Sequence, residues 1–84
     1  MKNVDPKKYN LHSRINLKKT EKNIFIVIDR KARVIMKDGL RIFEIVKQIR
    51  KFEPDKKTSV LSSAPVCSKT QKFLAQRQIE IKSL

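Results

Sequence analysis

The stretch Ile24-Phe25-Ile26-Val27-Ile28 sets the fold: five consecutive β-branched or aromatic residues, the composition of a strand covered on both faces. Asp29-Arg30-Lys31 closes it with polar side chains. Downstream, Leu40, Ile42, Phe43, Ile45, Val46, Ile49 and Phe52 recur at helical spacing, with Arg41, Glu44, Lys47, Gln48 and Lys51 on the other side, and this predicts a helix over 40–52. Asp38 suits its N-cap, and Pro54 ends it by biasing Glu53 away from helical angles. Between strand and helix, Arg33 to Met36 reads either as a short strand or as a loop packing inward.

Thr58 to Ser62 (TSVLS) reads as a second buried strand and Ser68 to Gln78 as a second helix, with Phe73, Leu74 and Ala75 as its inward positions. Ser68 with Gln71 three residues on has the pattern of a capping box. Gln78 to Lys82 (QIEIK) alternates and predicts a last strand with Ile79 and Ile81 on one face. Strand, helix, strand, helix, strand in this order predicts an α/β fold: a small single-domain βαβαβ with right-handed crossovers, a mostly parallel sheet and two helices. The domain is expected over 23–84. Residues 1–22 carry seven Lys or Arg and read as a basic N-terminal arm, with its first ten residues mobile, or as a hairpin strand near 14–18 built on Ile15 and Leu17.

The 84 residues hold 21 Lys plus Arg against 8 Asp plus Glu, a formal net charge of +13. A chain of this length holds one small core and excludes a two-domain enzyme, and its charge calls for an anionic partner. No apolar run is long enough for a signal peptide or a membrane span, so a cytoplasmic protein without membrane contact is expected. The single Cys67 forms no internal disulfide, and with one His12 there is no zinc-type cluster; no metal or cofactor is expected.

Three features bear on function. Ser63-Ala64-Pro65-Val66-Cys67-Ser68-Lys69-Thr70 lies in the frame of a phosphate-binding P-loop, but serines replace both glycines and Pro65 removes an amide, so nucleotide hydrolysis is not expected. What survives is a non-catalytic alternative, a helix start at Ser68, Lys69 and Thr70 that takes a small phosphorylated ligand. Cys67, just before that helix and near Lys69, reads either as a reactive thiol or as a packed, inert cysteine. No catalytic set can be assembled. Finally, Arg30, Lys31, Arg33 and Lys37 follow the first core strand while Lys69 and Lys72 follow the second, and in a parallel sheet both groups open on the carboxyl edge, where ligands usually bind. With one Tyr, no Trp and the Phe residues at core positions, base stacking is not supported, and phosphate-backbone binding of DNA or RNA is the expected mode. A homodimer or an acidic protein partner are the other partners this surface allows.

The order of elements, the basic loop after the first core strand, the run S-x-x-x-x-S-K and the strand I-E-I-K resemble, over residues 23 to 82, the Alba family of small basic chromatin and RNA-binding proteins. That resemblance implies nucleic-acid binding. The chain departs from the family in a longer loop from Asp29 to Asp38 without the glycine-lysine pattern, and in ending where a further hairpin strand would follow.

Overall fold

The computed structural model describes residues 1–84 as one α/β domain. Five strands form one sheet in the order β1 (Lys2–Val4), β2 (Leu17–Lys19), β3 (Asn23–Ile28), β4 (Lys57–Ser62), β5 (Glu80–Ser83). The β3–β4 and β4–β5 pairs are parallel, whereas β1–β2 and β2–β3 are antiparallel, so the sheet is mixed rather than mostly parallel. Helix α1 (Met36–Phe52) crosses from β3 to β4 and α2 (Ser68–Ala75) from β4 to β5. Both crossovers step the same way across the sheet, so with one handedness both helices lie on one face. There they meet edge to face through Phe43 and Phe73, with ring centroids 6.0 Å apart.

Under the helices, Ile24, Ile26 and Val60 join Ile42, Val46, Ile49, Leu74 and Ile79 in one core. Phe25, Val27 and Leu61 point to the opposite face and form a separate cluster. The side chains of β3 are thus buried on both faces, as expected, the first set by the helices and the second without a helix over it. Lys18 pairs with Phe25 and Lys82 with Leu61 across the ladder, and Lys82 Nζ stands 5.9 Å from the Phe25 ring centroid. Long lysine stems shield apolar side chains while their charges stay in water, which accounts for burial on the face opposite the helices.

The N-terminal segment is not a mobile arm. Asp5 caps a short 3-10 helix, η1 (Pro6–Tyr9), by accepting from the Lys7 N–H at 3.0 Å, and Pro6 supplies its first helical angle. Asn10 ends it in the left-handed region at φ 57°, a conformation Asn tolerates. This places Tyr9 in the core with no exposed surface, its hydroxyl donating to Glu53 Oε2 at 2.6 Å and its ring edge-on to Phe52. Val4 and Leu17 join the same core. The short strand expected near 14–18 is found at Leu17–Lys19.

Helix α1 begins four residues before the expected start, with Ile35 as N-cap and Asp38 inside the first turn. Asp38 Oδ2 accepts from the Ile35 N–H at 2.9 Å, one half of a capping box whose other half an isoleucine cannot supply. The buried stripe is Gly39, Ile42, Ile45, Val46 and Ile49, while Leu40 and Phe52 are exposed. In α2 the buried side chains are Thr70 and Leu74, and Ala75 faces water. No helix is long and apolar enough to cross a membrane.

Candidate nucleic-acid interface

The loops that follow β3 and β4 are clasped together at the carboxyl edge of the sheet. Val34, fully buried, forms an isolated parallel bridge with Val66: its N–H donates to Pro65 O at 2.9 Å and its carbonyl accepts from the Cys67 N–H at 2.9 Å. Arg33 to Ile35 is thus a loop segment packed inward through one bridging residue, and Met36 already begins α1. A second tie is Ser63 Oγ, which donates to Asp29 Oδ1 at 2.8 Å and accepts from the Arg30 N–H at 3.1 Å. The cations on both loops are thereby held on one edge by backbone pairing.

The expected cations do not all stand free. Arg30 is spent on the loop: Nη2 pairs with Asp38 Oδ2 at 2.7 Å, Nε donates to Ala32 O and Nη2 also to Arg33 O. Together with the Ile35 N–H, this holds the Asp38 carboxyl below the usual carboxylate range. Lys31, Arg33, Lys37 and Lys69 are exposed and make no ion pair. Lys72 is also unpaired but lies in the last turn of α2, a helical turn back from the edge.

Two further cations belong to this edge. An open groove beside the end of β3 is lined by Arg14, Asn16, Val27, Arg30, Asp38 and Arg41 among others. Antiparallel pairing of β2 with β3 brings residues just before Leu17 to the carboxyl edge, as the bond from the Val27 N–H to Asn16 O shows. Arg41 is there because α1 starts at that edge. A hairpin register could have announced Arg14. The expected hairpin strand lay at about the right place, but without its register nothing aligned Arg14 with Arg30.

The helix start at Ser68, Lys69 and Thr70 is built differently from the expected capping box. Cys67 is the N-cap residue of α2 and Ser68 the first helical position, while Gln71 Nε2 donates to Val66 O at 3.0 Å. Thr70 is wholly buried, out of reach of a ligand in the loop. The nearby backbone amides of Lys69 and Thr70, with Arg33 contributing, hold the Cys67 thiol below its ordinary range, while its sulfur makes no capping hydrogen bond to the helix.

No family model, curated protein or solved structure matches this chain, so the partial likeness to the Alba proteins carries no assignment.

Proposed function

We propose that this chain binds DNA or RNA through the phosphate backbone, along the carboxyl edge formed by Arg14, Lys31, Arg33, Lys37, Arg41 and Lys69, with Lys72 flanking. The observation that carries this reading is the Val34–Val66 bridge, which fixes two cationic loops side by side while only Arg30 among them is neutralised by an internal partner. Unpaired Lys and Arg on a held edge attract a polyanion without specifying bases, and no exposed aromatic ring on this edge offers a stacking platform.

Binding of a labelled duplex and a labelled single strand, followed by anisotropy as salt is raised, tests the reading. Duplex affinity should fall with a log-log slope of about −0.9 per phosphate neutralised, and almost equally for unrelated sequences. Replacing Lys31, Arg33 and Lys69 together by Ala should flatten that slope by roughly 2 to 3. A flat salt response in the parent overturns it.

A further inference from the structure

The sheet ends on a strand with one free side. β5 pairs with β4 alone, and an edge of unpaired N–H and C=O groups is a template for another strand. The ladder shows which groups are free. The Leu84 N–H donates to Ser62 O at 3.0 Å, and alternation along the strand turns Lys82 and Glu80 toward β4 as well, leaving the N–H and C=O of Ile81 and Ser83 facing away from the sheet.

Space lies open beside them. Two clefts run along β5, one lined by Ala75, Gln78 and Ile81 and the other by Val66, Ile81 and Ser83, with Gln71 of α2 in both. Neither Lys69 nor Lys72 lines them, so the flank of α2 beside β5 is uncharged on a chain of net charge +13. The lysines that do reach this strip, Lys57 and Lys82, both stand against Glu80, at 2.7 and 3.8 Å. The opposite edge of the sheet is different. β1 contains no acid, and its Lys2 lies beside Lys19, the kind of charge that keeps an edge from pairing.

We propose that β5 pairs antiparallel with β5 of a second copy, about a two-fold axis at Ile81, joining the two five-stranded sheets into one. Charge complementarity selects both the occupant and the register. With Ile81 opposite Ile81, the outward N–H and C=O of each bond the other reciprocally. Glu80 of each copy then stands opposite Lys82 of the other on the face away from the helices, in the non-hydrogen-bonded pairs where side chains come closest. Moving the axis one residue either way sets Lys82 against Lys82 or Glu80 against Glu80, and like charges directly opposite destabilise. On the helix face, the axis turns the uncharged flank of each α2 toward the other. This pairing is independent of nucleic-acid binding.

Sedimentation equilibrium of the nucleic-acid-free protein tests it. At about 0.15 M salt the Debye length of about 8 Å screens the distant cations of the two copies, but not groups facing each other at about 5 Å. The parent should pass from monomer toward dimer mass between about 10 μM and 1 mM. Glu80→Lys and Lys82→Glu change net charge in opposite directions, yet each should weaken association about tenfold or more, because each sets like charges opposite. An equimolar mixture of the two variants should associate at least as well as the parent, since every opposed pair is again unlike. In hydrogen exchange, the Ile81 amide should be protected only at the higher concentration and the Leu84 amide at both. A parent that stays monomeric, a mixture no better than its components, or a dimer whose Ile81 amide is unprotected overturns the pairing. A monomeric parent whose Ile81 amide is protected only by added nucleic acid gives the edge to that ligand and also overturns it. Should either variant not fold, the concentration dependence of Ile81 protection in the parent still decides.

Discussion

Arg30 and Lys31 are adjacent in sequence and opposite in use. Arg30 folds back on Asp38, Ala32 and Arg33, whereas Lys31 has no partner. Arg30→Ala should therefore lower stability by about 1 kcal/mol, a modest figure because the pair is partly exposed, while Lys31→Ala should leave it unchanged and weaken only polyanion binding. Urea unfolding of the two variants checks the first half and anisotropy the second. Gly39→Ala sets two effects against each other: a gain of about 1 kcal/mol in helix propensity, and a close contact of 2.8 Å with a buried, branched threonine that has no room to turn. Overpacking at such a site costs roughly 1–3 kcal/mol, so net destabilisation is expected in thermal unfolding. Composition announced the cations at the edge but not their pairing, since which of two neighbouring basic residues meets Asp38 depends on the path of the loop.

At the scale of elements, β3, β4 and both helices were legible because their apolar periods run long enough to decide between strand and helix. The N-terminal segment was less so. Asp5-Pro6-Lys7-Lys8-Tyr9-Asn10 contains a cap, a helix-starting proline and a left-handed stop, yet these signals are diluted by lysines whose charge reads as solvated chain. What holds the segment is nonlocal: Tyr9 bonds Glu53 across 44 residues of sequence, Val4 joins the core and β1 pairs with β2. Tyr9→Phe should lower stability by about 1–2 kcal/mol, because a charge-assisted hydrogen bond is lost and Glu53 is left half satisfied. The contact also has a pH signature. The Tyr9 hydroxyl, with nearby Lys56, Lys8 and Lys19, holds the Glu53 carboxyl below its ordinary range, so its contribution is complete above the unfolded pKa near 4.3 and is lost as pH falls through the lower folded value. Burial and Glu53 push the Tyr9 phenol up, so its contribution is complete below about pH 10 and is lost as pH rises beyond that. Chemical denaturation across pH should show both limbs steeper in the parent than in Tyr9→Phe. Deleting residues 1–10 removes Val4 and Tyr9 from the core and the β1 pairing of β2, and should cost several kcal/mol or abolish cooperative unfolding.

Across the whole molecule, positive charge is found at both ends of the strands as well as on the sheet face opposite the helices. At the amino edge, Lys2, Lys19 and Lys56 line an open cleft with Thr20 and Glu21, and Lys22 lies in the turn that enters β3. A chain of net charge +13 therefore offers a polyanion more than one approach, and long-range attraction alone would not prefer either. The edges differ in their local charge balance. Glu21 and Glu53 sit among the amino-edge lysines, whereas the nearest carboxylates of the carboxyl edge, Asp29 and Asp38, are committed to Ser63 and Arg30. Two triple variants of identical charge change separate locality from net charge: Lys31→Ala, Arg33→Ala, Lys69→Ala at the carboxyl edge, and Lys2→Ala, Lys19→Ala, Lys22→Ala at the amino edge. If total charge governs association, both should lower duplex affinity equally at every salt concentration. If the clasped loops are the contact surface, the carboxyl-edge variant should lose roughly 2 to 3 in log-log salt slope while the amino-edge variant keeps the parent's slope and loses affinity only at low salt, where screening is weakest. Equal loss in slope from both would show that the carboxyl edge is not the preferred contact surface.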